Sequence, residues 1–385
     1  MYLLRIAGEH VNEGALRSIG GAKMRTNGSY TQCNSWRCFL AAGIVTAVVA
    51  FVPQPAAADE GGVSFWVPGF FGSLAAAPLQ PGFSLTSIYN HTSVSAGADV
   101  ARAREITVGR FTPTLAANVS ANLDANADLG FFLPSYTFEG KLFGGQLNVG
   151  LLTIYGRNSA SVDATLNASL LAGPFALTRS RFFIDSDSVT GFGDLIPIAS
   201  LRWNAGVHNV MIYATGDIPV GAYDPTRLAN IGIGHGALDG GFGYTYFNPQ
   251  TGNEFSAAAG FTYNFESPDT NYQNGVDFHL DWGASKFLTK QFQIGVVGYL
   301  YNQVSCDSGA GDRVGCFESR VASVGAQLGY IVPMGDLQGY FNIKAYKEFE
   351  SEHRPEGWNV WLTFSLSPAQ QAPAATPPAR RIYTK

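Results

Sequence analysis

The stretch VDFHLDWGASKF (Val276–Phe287) concentrates groups that could do chemistry. Asp277, His279 and Asp281 stand at i, i+2 and i+4, so an extended strand places all three on one face. Val276, Phe278, Leu280, Trp282 and Ala284 take the other face. A histidine between two carboxylates is held toward its cationic form, and such a cluster can bind or select a solute. Metal chelation fits less well, because three ligands on one strand spread over about 13 Å. A Ser–His–acid hydrolase fits less still. Ser285 lies about 20 Å from His279 along the strand, and no G-x-S-x-G elbow occurs. The simplest reading is polar lining of a wet barrel interior.

Other polar side chains fall on the same side of their own alternating segments. Arg202, Asp217, Arg320 and Lys344 supply charge, and Tyr213, Tyr299, Tyr301 and Tyr340 supply rings with a polar tip. Tyrosines of this kind can pass an aromatic solute along, or they can simply pack and narrow the lumen. Asp217 and Asp224 in TGDIPVGAYDP could meet a cation, although a solvated loop is the simpler reading. NIGIGHGALDGGFG (Asn230–Gly243) has the glycines of a phosphate loop but no Walker lysine after it. No motif requires a cofactor or a metal, and we expect no enzyme.

These groups need strands to position them, and alternation supplies the strands. In EFSAAAGFTYNF, Phe255, Ala257, Ala259, Phe261, Tyr263 and Phe265 share one face, while Glu254, Ser256, Ala258, Gly260, Thr262 and Asn264 share the other. Such segments run about ten residues or more, enough for a tilted strand to cross the hydrocarbon layer. Their connections alternate short and long, and aromatics (Trp203, Phe247, Phe287, Phe292, Tyr330) gather at the short-turn ends. The expected strands are 83–94, 127–138, 145–156, 193–203, 207–218, 238–247, 254–265, 276–287, 291–303, 320–331, 337–347 and 357–366. Residues 105–126 alternate weakly and 160–183 can add a hairpin, so the count is twelve to fourteen. The fold class is all-β: a transmembrane antiparallel up-and-down barrel over 83–366, with both termini periplasmic.

Composition agrees. Of 385 residues, 14% are charged and 13% aromatic, with 45 glycines and a net charge of −5; soluble domains carry about 25% charge. No basic patch interleaved with aromatics suggests nucleic acid. Residues 1–58 read as a signal peptide, with Met24 a possible start: Arg25 and Arg37, then FLAAGIVTAVVAFV, then Ala56-Ala57-Ala58 as a cleavage site. Cys33 and Cys38 leave with it. Cys306 and Cys316, in the glycine-rich SCDSGAGDRVGCF, are most simply a disulfide of an exported chain. The Pro/Ala-rich tail 367–385 reads as disordered.

One stretch fits none of these classes. Residues 59–82 carry Phe65, Trp66, Phe70 and Phe71 and are broken by Pro68, Pro78 and Pro81. They are too short and too proline-broken to span as a helix. Either this segment folds into the barrel as a plug whose aromatics meet hydrophobic solutes, or it merely packs there, or it lies at the inner lipid interface.

An ordered set of motifs carries a family resemblance over most of residues 61–366. SVTGFGDLIPIASLRW, TGDIPVGAYDPTRLANIGIG, GFGYTYFNPQTGNEFS, PDTNYQNGVDFHLDWG, GVVGYLYNQVSCDSG and RPEGWNVWLTF together resemble the outer-membrane family named for the meta-pathway of phenol degradation. The resemblance implies a barrel in the outer membrane of a Gram-negative bacterium, which we expect to be a monomer. It further implies passive uptake of small hydrophobic or aromatic compounds. Its partners would be outer-membrane lipid, the solute and the barrel-assembly machinery, with Phe364 as the closing aromatic. The alternatives are a closed structural or surface-interaction barrel and an outer-membrane hydrolase.

Overall fold

The structure, a computed structural model, describes residues 64–97, 118–172, 175–312, 315–316 and 318–369. The expected signal peptide, residues 59–63, residues 105–117 and the tail from 370 onward lie outside the described residues. Within them the strands are β1 (Gly82–Ala96), β2 (Asn118–Leu142), β3 (Gly145–Ala172), β4 (Phe175–Ala205), β5 (His208–Asp217) and β6 (Ala237–Asn248). They continue as β7 (Asn253–Asn264), β8 (Asp277–Phe287), β9 (Phe292–Gln303), β10 (Arg320–Met334), β11 (Leu337–Glu352) and β12 (Glu356–Pro368).

Each strand pairs antiparallel with its neighbours in sequence, and β1 closes the ring against β12. Tyr89, for example, faces Gly130 of β2 on one side and Leu362 of β12 on the other. Closure removes the exposed edges that an open sheet would offer. Period-two alternation then divides inside from outside. On β7, Glu254, Ser256, Thr262 and Asn264 are buried inward, and Phe255, Phe261 and Tyr263 are exposed outward. Phe132, Phe242, Leu328 and Phe341 extend that outward apolar band, the surface that lipid tails cover.

Two expectations are corrected. Residues 160–183 do pair as a hairpin, from Ala160 with Asp187 to Ala172 with Phe175, but they add no strand to the barrel. They lengthen β3 and β4, as 118–126 lengthen β2, so these strands reach 28, 31 and 25 residues while β5 has 10 and β8 has 11. Twelve strands therefore account for the described residues. The reason lies in the pattern: the alternation of β2 runs through Ala121–Phe132 without a break. The last strand also extends past Leu366, since Ser367 and Pro368 still pair with Gln338 and Leu337.

The short-turn end is built from tight hairpins. Phe143 and Gly144 both have positive φ, 49° and 76°, which suits a two-residue turn between twisted strands. At the long-loop end, Cys306 and Cys316 are joined in a disulfide. It closes the loop between β9 and β10, as the sequence suggested.

Candidate functional site

Residues 64–81 form no strand. They run inside the barrel, strapped to it by inward side chains of opposite charge. Asp281 accepts the backbone N–H groups of Gly69 (2.9 Å) and Phe71 (3.0 Å) on its two oxygens. Glu254 accepts the Leu74 N–H (2.9 Å) and the Ser73 hydroxyl (2.6 Å). The cations take the carbonyls. Lys344 donates to Gly69, Phe70 and Phe71, and Arg202 donates to Ala75 (2.8 Å) and Ala77 (2.9 Å). Thr245 accepts the Ala76 N–H at 2.9 Å. An irregular segment inside a barrel must have its backbone groups satisfied, and hydrogen bonds to charged groups are the strong kind.

Higher in the lumen, Trp66 stacks on His279 with ring centroids 3.7 Å apart and planes 11° apart. His279 Nε2 lies 2.8 Å from Asp239, and both side chains are fully buried. Thr262 donates to the same Asp239 oxygen at 2.6 Å, and the Tyr213 hydroxyl lies 3.4 Å from His279 Nε2. Phe71 packs edge-on against Tyr213, and Phe70 edge-on against Trp361. The strands leave room by using glycine where the segment or a ring comes closest. A Cβ at Gly283 would stand 2.8 Å from Ser73 Oγ, and one at Gly260 would collide with the Tyr213 hydroxyl.

The lumen is therefore two-sided. The straps come from β6, β7, β8 and β11, with Arg202 of β4 near the short-turn end. The opposite wall is apolar: Phe131, Leu133, Leu152, Ile196 and Ile198 face Phe65, Trp66 and Phe70 across a cavity of about 40 Å³. Trp66 also carries a buried Nε1–H with no acceptor among the described residues. A dry cavity of about 150 Å³ accepts benzene, so a ring fits here only if Phe70 or Trp66 swings aside.

Most of the residues expected to line the lumen do so, but they do not form one cluster. Asp277 bonds the Asn264 amide (2.9 Å), His279 pairs with Asp239, and Asp281 holds the segment. Tyr299 donates to Glu348 at 2.6 Å, Tyr301 lies under the Arg354 guanidinium at 4.5 Å, and Asp217 is buried. Phe65, Trp66, Phe70 and Phe71 all point into the interior contacts described above. Arg320 is a correction. It falls on the outward parity of β10, beside exposed Val324 and Leu328, and makes a solvent-exposed ion pair with Glu352 at 2.9 Å. Asp224 belongs to the loop after β5, where hydrogen bonds from Thr226 hold its carboxyl below the usual range; it does not meet Asp217.

Sequence reading passed over Glu254 and Asp239 as site residues. The parity of EFSAAAGFTYNF already put Glu254 inward. Asp239 was hidden in a glycine-rich run whose strand character outweighs its resemblance to a phosphate loop.

Residues 108–364 match the family described as "Putative MetA-pathway of phenol degradation". The chain belongs to that family. No curated protein matches the sequence. Among solved structures, this family member is similar to an outer membrane channel from Pseudomonas putida F1, with a TM-score of 0.55 and 11% identity, over 75% of this chain and 97% of the other. At that identity the likeness speaks for the barrel fold. A FadL homologue from Pseudomonas aeruginosa aligns over 81% of this chain and 98% of its own at 12% identity, but with a TM-score of 0.35, too low to build on.

Proposed function

We propose that this barrel sits in the outer membrane, short-turn end toward the periplasm, and admits small hydrophobic or aromatic solutes by passive diffusion. The observation that carries this reading is the apolar cavity between residues 65–70 and the β2–β4 wall. An apolar compartment inside an otherwise polar lumen has no value for water or ions. It stabilises a small apolar molecule by roughly 25 cal/mol per Å² of surface removed from water. The segment 64–81 acts as a gate: its straps fix the backbone, and Phe70 and Trp66 are the side chains a solute displaces. Family membership points the same way.

A closed structural barrel would keep the segment permanently seated and would bind no solute. A hydrolase would need a nucleophile beside His279; the described partners of that ring are Asp239, Tyr213 and Trp66, and Ser285 is bonded to Glu254 instead.

Fluorescence titration tests the reading. Toluene or phenol added to the purified barrel should perturb tryptophan emission saturably, and Trp66→Phe should abolish the larger part of the change. A response that is absent, or that is unaltered in Trp66→Phe and in the cavity-filling variant Leu152→Trp, would contradict it.

A further inference from the structure

Beyond the membrane band, β2, β3 and β4 run on as a blade, which β1 accompanies along β2 as far as Leu123 and from which β5 is absent beyond Ile198 of β4. Asp128 marks its base: it is exposed and accepts hydrogen bonds from Tyr89 (2.6 Å) and lies 2.7 Å from His91. On β2 the outward side chains of the blade are Asn122, Asp124, Asn126 and Asp128, all exposed. The inward series is different. Ala121, Leu123, Ala125, Ala127 and Leu129 lead without a polar break to Phe131 and Leu133, which line the lumen cavity. On β3, Ala164, Val162 and Ala160 repeat the pattern before Asn158 interrupts it.

The loop 218–236 lies over this stripe. Leu228 is buried against Ala121, Leu123, Val162 and Ala164. The loop is fastened around Leu228 by polar bonds. Arg227 reaches both oxygens of Asp187 (3.0 and 2.8 Å), which holds its guanidinium pKa above the usual value. Asn158 donates to the Asn230 carbonyl at 2.8 Å. Asp194 accepts the N–H groups of Gly221 (2.7 Å) and Ile233 (2.8 Å). Between Leu228 and the cavity the stripe consists of alanines, Ala125, Ala127 and Ala160, which are only half-buried. A core that merely stiffened the blade would need the Leu228 patch and nothing below it; charged or polar residues could stand at 125 and 127 as they do at 124 and 126.

We propose that this inward stripe is an outer binding site for a neutral aliphatic or aromatic hydrocarbon. Leu228 occupies it at rest, and a solute takes the place of Leu228 and descends over the alanines to the lumen cavity. No charged side chain stands on the inward parity of β2 from Ala121 to Leu133, so a charged solute would find no partner there. The proposal rests on the channel reading above and adds a second site to it.

Photolabelling separates the two. The full-length barrel in nanodiscs is exposed to a benzene derivative bearing an alkyl diazirine, and the labelled peptides are mapped. The expected result is label on 121–129 and on Leu228 as well as on 65–71, all of it competed by excess toluene. Leu228→Asp, which takes the resting side chain off the stripe, should raise the label on 121–129 several-fold while label on 65–71 persists. Arg227→Ala, which frees the loop without altering the stripe, should raise the outer label and stands in should Leu228→Asp not fold. Competed label confined to 65–71 and the cavity wall would overturn the outer site and leave the channel reading standing. Competed label on the stripe alone would support the outer site and count against the lumen cavity. No competed label anywhere would overturn both.

Discussion

The indole of Trp66 lies flat on the imidazole of His279, 3.7 Å away and 11° from parallel, joining the N-terminal segment to the start of β8. Aromatic ring contacts contribute about 0.5–1.5 kcal/mol beyond the area they bury. Trp66→Ala should therefore loosen the upper part of the segment and enlarge the cavity. Planar-bilayer recordings should show a higher conductance than wild type; an unchanged conductance would mean that Trp66 does not help close the lumen.

Asp281 is the anchor lower down, and hydrogen bonds to a charged group each contribute about 1.5–3 kcal/mol. Asp281→Ala removes two, those from Gly69 and Phe71, and leaves Lys344 without its nearest counter-charge. The segment should become susceptible to limited proteolysis between 64 and 77, while the barrel keeps its heat-modifiable migration on gels. Protection equal to wild type would show that the remaining straps suffice.

Gly283→Val tests the same gate without removing a polar partner. The added Cβ would meet Ser73 Oγ at 2.8 Å and Ser73 N at 2.9 Å, closer than such contacts allow. The segment must shift, and conductance should rise as expected for Trp66→Ala. Wild-type conductance in a folded Gly283→Val barrel would place the segment elsewhere.

Arg320→Ala should do almost nothing. Its pair with Glu352 is 56% and 53% exposed, and such pairs contribute under about 1 kcal/mol. Reversal potentials in a salt gradient should match wild type, whereas Lys344→Ala should shift them. A shift in Arg320→Ala would return that residue to the lumen.

Reducing the Cys306–Cys316 bond should act locally. The loop between β9 and β10 should be cleaved faster by protease, and the barrel should still migrate as a folded species. Loss of the folded band would give the disulfide a wider role than its loop position suggests.

Much of this was readable from period-two alternation. The parity of EFSAAAGFTYNF and VDFHLDWGASKF put Glu254, Asp277, His279 and Asp281 inside because lipid and lumen make opposite demands on successive residues. Parity does not say where a strand leaves the membrane. The sequence 118–126 keeps alternating above the lipid, so the blade looked like weak or extra strands. Arg320 was misplaced because its charge suggested the lumen, although it shares the outward parity of Val324 and Leu328; at the long-loop end an outward residue can stand in water and pair with Glu352. Nor could parity pair Trp66 with His279 or Asp239 with His279, since the first contact joins the N-terminal segment to β8 and the second reaches over β7 between strands two apart.

The central claim is that the lumen cavity passes apolar solutes. It is tested most directly by the initial rate at which radiolabelled naphthalene enters cells of a deletion strain carrying an intact lipopolysaccharide leaflet. Wild-type barrel should raise that rate several-fold over the empty strain, and Leu152→Trp, which fills the cavity, should return it to the empty-strain value. Equal rates with and without the barrel, or an undiminished rate in a folded Leu152→Trp barrel, would contradict the account.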